Sequence, residues 1–170
     1  MRLALVIAIA AALAGSATAA APFSPTTLAG KWTGTWKNET FGSTGPATIT
    51  AKSLAKNTKL LFSVNFGGSV FGCASVPPES TTPLPKGAGA NHWSATGFAI
   101  KGASKDFGAL TLTYKSATGA LTGNGSNPPC AAGLSWSIVG KFKGKTFAGK
   151  VNIKLAIGQT AISDINLTRG

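Results

Sequence analysis

Acidic side chains are nearly missing from this chain: 4 Asp plus Glu stand against 16 Lys plus Arg in 170 residues, and there is one His, one Tyr and one Met. General acid–base chemistry is therefore poorly supplied, because the only candidates are Glu39, Glu79, Asp106, Asp164 and His92. No Gly-x-Ser-x-Gly elbow, His-Glu-x-x-His zinc helix or phosphate-binding loop motif is present. One His and 2 Cys cannot build a three- or four-ligand zinc site. Charged residues make up only 12%, with Gly at 22 and Pro at 9, which excludes a helical bundle or coiled coil. At 44% hydrophobic residues the chain is too apolar for intrinsic disorder. These shortages point to a non-enzymatic protein with no cofactor and no metal.

Long hydrophobic runs are also missing, save one near the N-terminus. Arg2 precedes the apolar stretch Leu3 to Leu13, and Ala17-Thr18-Ala19 supplies a small-x-small cleavage pattern. That stretch falls well short of the roughly 20 residues a transmembrane helix needs, so residues 1–20 read as a cleaved signal peptide. Residues 21–170 then form one domain of a secreted or periplasmic protein that does not span a membrane. In an oxidising compartment Cys73 and Cys130 are expected to form a disulfide, each being flanked by Pro- and Gly-containing sequence.

What the chain does have is alternation of period two. Leu28, Gly30, Trp32, Gly34 and Trp36 oppose Ala29, Lys31, Thr33, Thr35 and Lys37, giving a strand with one apolar face. Ala47 to Lys52 and Leu60 to Phe66 follow the same rule, and Gly67-Gly68 is read as a hairpin turn leading to a strand from Ser69 to about Ser75. Further strands are expected at Trp93 to Ile100, Phe107 to Lys115, Ala120 to Asn124, Leu134 to Phe142 and Phe147 to Leu155. In a final strand Ala161, Ser163, Ile165, Leu167 and Arg169 share a face. Two stretches, Val76 to Ala90 and Gly125 to Gly133, carry too much Pro and Gly for central strands and read as long loops. No window shows helical periodicity. The expectation is an all-β domain, a single up-and-down antiparallel β-barrel of about 8–10 strands.

The segment Leu28-Ala29-Gly30-Lys31-Trp32 resembles the Gly-x-Trp first strand of lipocalins and avidins, and Ile165-Asn166-Leu167-Thr168-Arg169 resembles their Arg-terminated last strand. The resemblance covers the two ends of the mature chain. It implies that the first and last strands are neighbours and that Arg169 packs across Trp32 to close one end of the barrel. Trp32 is followed by Thr33-Gly34-Thr35-Trp36 rather than the Asn and Ser that avidins use, so biotin binding is not implied. The helix that lipocalins place beside the barrel has no counterpart here.

A barrel of this size holds either packed side chains or one small ligand. If it is hollow, the opening lies at the loop end. Trp36, Phe62, Trp93, Tyr114 and Trp136 then offer apolar contact, with Asn91 and His92 at the rim. The expected ligand is small and apolar or amphipathic. A competing expectation is a filled barrel that works through its basic exterior. Lys141, Lys143, Lys145, Lys150 and Lys154 would present one basic wall to an anionic envelope polysaccharide or lipid surface. Nucleic acid is not an expected partner, since the outward lysines do not interleave with aromatics and Arg169 is the single mature Arg.

Overall fold

Among the described residues there are twelve strands: nine long ones where the period-two pattern predicts them, two short ones inside a segment expected as a loop, and a third short one made by the splitting of an expected strand. The structure, a computed structural model, describes residues 21–72 and 78–170. The long strands are β1 (Gly30–Asn38), β2 (Thr44–Leu54), β3 (Lys59–Phe66), β7 (Gly97–Ser104), β8 (Gly108–Lys115), β9 (Ala120–Ser126), β10 (Ser135–Lys143), β11 (Thr146–Lys154) and β12 (Thr160–Arg169). The short ones are β4 (Glu79–Ser80), β5 (Leu84–Pro85) and β6 (His92–Ser94). They form one curled antiparallel sheet, a half-barrel, in the order β4-β3-β2-β1-β12-β11-β10-β9-β8-β7-β6, with β5 also paired to β3. First and last long strands are neighbours, Trp32 lying opposite Arg169. The signal-peptide expectation for 1–20 and the Cys73 half of the disulfide lie outside the described residues.

Three expectations are corrected. The segment expected as one strand from Trp93 to Ile100 is a hairpin of β6 and β7, turning at Ala95-Thr96. Gly97 makes this turn feasible: its φ is +141° and a Cβ there would sit 1.9 Å from the Tyr114 carbonyl oxygen. Gly67-Gly68 does not start a hairpin, because a short 3₁₀ turn, Val70–Gly72, follows, with Phe71 at φ 56°. The stretch expected as a loop from Val76 to Ala90 contains β4 and β5. From residue 78 onward it runs down the open side of the half-barrel, as Glu79 pairs with Val64 and Leu84 with Leu60. Pro85 is accommodated because β5 is an edge strand.

That segment also reaches the far edge of the sheet. Glu79 Oε2 accepts from Ser104 Oγ at 2.6 Å and its Oε1 from the Lys105 N–H at 3.1 Å, while the Gly87 N–H donates to the Trp93 carbonyl at 2.9 Å. The two edges are thus bridged without a continuous ladder between β3 and β6.

The interior has two levels. At the end where β1 begins and β12 finishes, aromatic rings pack edge to face and stacked: Trp32 on Phe142 at 5.0 Å, Phe142 on Tyr114 at 5.6 Å, Tyr114 on Phe98 at 5.3 Å and Phe98 on Phe62 at 4.8 Å. Residues 21–29 cross beneath them and insert Phe23, Pro25 and Leu28, all buried. Backbone bonds fix this plug, the Phe23 N–H donating to Ala95 at 2.7 Å. The other level is hollow.

Candidate functional site

Alternation along β1, β10 and β12 directs Trp36, Trp136, Ile138, Ser163 and Ile165 inward, and above the aromatic plug their side chains do not meet. They enclose a cavity of about 870 Å³. Its wall is chiefly aliphatic, with Ile49, Val64, Leu110, Leu112 and Ile153 among the lining residues. Ile49, Leu110 and Leu112 belong to the inner face yet are only partly buried, as expected of side chains that border a void. The cavity lies toward the end that carries the 38–44, 104–108, 126–135 and 154–160 connections, and so opposite Trp32 and Arg169.

The tryptophans on its wall are fixed by their indole N–H groups. Trp36 donates to the Gly67 carbonyl at 2.8 Å and Trp136 to the Phe107 carbonyl at 3.0 Å. Gly125 makes room for the second ring, since a Cβ there would lie 2.4 Å from it. Phe107 contacts Phe66, Phe71 and Trp136, forming an aromatic shelf near the mouth. Phe41 at the rim is 60% exposed and Ile157, in the neighbouring 154–160 connection, 75%, so apolar surface continues outward.

The residues proposed from sequence for ligand contact divide accordingly. Trp36 and Trp136 line the cavity. Phe62, Trp93 and Tyr114 instead belong to the packed lower level, where Phe23 contacts both Trp93 and Tyr114. Trp93 is held there by donating to the Thr58 carbonyl at 3.1 Å. His92 is not at the rim: it flanks inward-facing Trp93 on β6, opposite Ala99, and its Nδ1 is buried without a hydrogen-bond partner. Asn91 does line the cavity, but its amide is spent on the Lys101 backbone. The aliphatic wall follows from the same alternating pattern, which does not separate side chains that border a void from side chains that pack. The plug residue Phe23 carried no periodic signal.

The closing contact has the expected geometry. The Arg169 guanidinium carbon lies 5.1 Å from the Trp32 ring centre, its Nη1 donates to the Thr27 carbonyl at 2.8 Å, and the Trp32 indole donates to Leu28 at 2.9 Å.

Glu79 and Asp106 neighbour each other, but among the described residues no hydrogen bond or ion pair joins His92 to an acid. Asp106 lies beyond the end of β7, whereas His92 faces Ala99 near the start of that strand. Burial, then the neighbouring Glu79, raises the Asp106 pKa, with Lys105 acting in the opposite direction. Among the described residues no group of three His, Cys, Asp or Glu could hold a metal ion, and no helix is long and apolar enough to cross a membrane.

Charge is segregated along the barrel axis. Lys31, Lys52, Lys56, Lys59, Lys86, Lys115, Lys141, Lys143, Lys145 and Arg169 lie at or near the plugged end, on strand ends and the hairpin turns between them. Glu39, Glu79, Asp106 and Asp164 all belong to the other half. The single basic wall expected from sequence is thereby divided. Lys141, Lys143 and Lys145 join the plugged end, Lys150 pairs with Asp164 at 2.7 Å, and Lys154 lies toward the mouth. Alternation set which face the lysines occupy, but not how strand direction sorts them between the two ends.

No protein-family model matches the chain, and no curated protein matches it in sequence. A solved structure from Nostoc punctiforme, a protein of unknown function from the DUF3598 family, is similar in fold with a TM-score of 0.56 at 9% identity. The match covers 88% of this chain and 50% of that one, so the chain spans half the length of that protein.

Proposed function

We propose that this is an exported, non-enzymatic binding protein, a calycin-like barrel plugged at one end, whose cavity holds one small apolar or amphipathic molecule. The observation that carries this reading is the hollow upper level. A void of about 870 Å³ lies within the range of small-molecule sites, and it is walled by aliphatic and aromatic side chains with few polar groups. An evolved filled barrel would close such a space, because every unfilled methylene volume in a core is destabilising. The secretion signal, the disulfide joining Cys73 to Cys130 and the up-and-down barrel all belong to this proposal. Its test is one-to-one uptake of the neutral apolar fluorophore N-phenyl-1-naphthylamine, accompanied by a change in tryptophan emission from Trp36 and Trp136. A protein that takes up no such probe would refute it.

The axial segregation of charge favours a second role that can coexist with the first: the plugged end rests on an anionic surface, with the mouth turned away. The cations there are nearly all lysines spread around a ring, which suits a flat layer of anionic headgroups better than a single extended chain. Vesicles containing phosphatidylglycerol should bind the protein in low salt and release it as ionic strength rises, since exposed charges are screened beyond about 8 Å at physiological salt. Lys143→Glu with Lys145→Glu should weaken the interaction. Equal binding to neutral phosphatidylcholine vesicles would contradict it.

A further inference from the structure

The cavity wall is chiefly apolar, and most of its polar lining residues, among them Glu79, Thr81, Asn91, Lys101 and Ser104, belong to the β4–β5 segment and the β6–β7 side, whereas one pair stands on the opposite wall. Asn38 and Ser163 are directly opposed across β1 and β12, both line the cavity, and they are the two buried polar residues of the interior, at 8% and 6% exposure. Asn38 Oδ1 is occupied: it accepts the Thr40 and Phe41 N–H groups at 2.9 Å each and so shapes the turn after β1. Its Nδ2 has no hydrogen-bond partner among the described residues, and neither has Ser163 Oγ. Both residues line the cavity, so a molecule held there is the partner that can reach them. A buried amide and hydroxyl without partners cost stability unless something in the cavity bonds them.

We propose that Asn38 and Ser163 form a head-group subsite in which the Asn38 Nδ2–H and Ser163 Oγ–H donate to a neutral carbonyl or ether-type acceptor on an otherwise apolar ligand. This deepens the binding reading above and rests on it. The acceptor is uncharged because no free cation adjoins the pair on β1, β11 or β12, and Lys101, the lysine among the described lining residues, stands on β7, which does not pair with those strands. Lys37 and Lys150, on neighbouring positions of the sheet, point outward and are already paired with Glu39 and Asp164. A carboxylate would thus be desolvated without a counter-charge, at high cost. The shape of the cavity supports the same orientation: the pair sits near the mouth, and aliphatic Ile165, Val151 and Ile138 extend inward from it for the tail.

The test uses 2-dodecanone, dodecanoate and N-phenyl-1-naphthylamine with wild type, Ser163→Ala, Asn38→Ser and the double variant. Asn38→Ser keeps a side-chain oxygen for the N–H groups of the turn without burying a charge, and Ser163→Ala removes one small hydroxyl, so thermal melts should confirm folded protein. Each change should weaken 2-dodecanone by about fivefold, the value of one ordinary hydrogen bond, with naphthylamine binding unchanged. Wild type should prefer 2-dodecanone to dodecanoate. If naphthylamine binds but the ketone is indifferent to both substitutions, the subsite is refuted and the cavity reading stands. If no probe binds wild type, both fall together.

Discussion

Each of the four tryptophans donates its indole N–H to a backbone carbonyl, and each thereby ties a different piece of chain to the sheet. Trp32 holds Leu28 in the plug, Trp93 holds the β2–β3 turn through Thr58, Trp36 holds Gly67 and Trp136 holds Phe107. Buried indoles normally require such a partner, so these bonds also fix the ring orientations. Trp32, 1% exposed and under Arg169, should be the costliest to truncate. Trp32→Ala is expected to lose roughly 3 to 5 kcal/mol in urea denaturation, against about 1 kcal/mol for Arg169→Ala, whose cation–π contact is partly exposed. Comparable losses for the two would contradict the plug. Tyr114 reports on the same level, because burial raises its pKa above the ordinary 10.0. Its contribution to stability is complete below the unfolded value and is lost as pH rises through the folded one. Since this is the single Tyr in the chain, tyrosinate absorbance of the folded protein should rise at higher pH than that of the urea-unfolded chain, and Tyr114→Phe should move alkaline unfolding to higher pH. Tyrosinate forming in still-folded protein near pH 10 would show that the ring is wet.

Among the elements, the long strands were legible because inward and outward residues differ in kind at every second position. The last strand shows this fully, with Ala161, Ser163, Ile165 and Leu167 buried in alternation. The short strands β4 and β5 were illegible for the same reason, since two residues cannot display a period, and β6 was legible only as part of a longer strand, without the turn that separates it from β7. Glu79 is the residue that makes that bridge polar, as its carboxylate is shared between Ser104 and the Lys105 N–H. Glu79→Ala should therefore raise amide hydrogen exchange across residues 78–85 and in the β7–β8 turn. A stability loss of about 1 kcal/mol should accompany it, modest because the group is partly exposed. Unchanged exchange in both segments would mean that the backbone pairing of β4 alone holds the open side.

At the scale of the whole molecule, the half-barrel separates three properties along one axis: a lysine-rich plugged end, a packed aromatic level and a hollow level that reaches an apolar rim. The closing pair Trp32 and Arg169 could be read from sequence because each has recognisable neighbours, Gly30-Lys31 before Trp32 and Leu167-Thr168 before Arg169. The division between packed and hollow levels could not, since inward-facing Trp93 and inward-facing Trp136 look alike along their strands. Only their heights on the barrel, set by strand register, place one in the plug and the other on the cavity wall. The central claim is that the hollow level is a binding site. It is tested most directly by titrating N-phenyl-1-naphthylamine into wild type and into Leu112→Trp, which adds bulk at a partly exposed cavity position. The account predicts saturable binding of one probe per chain and loss of at least about tenfold in affinity in the variant, at unchanged melting temperature. Equal binding by both proteins would place the probe elsewhere and contradict the claim.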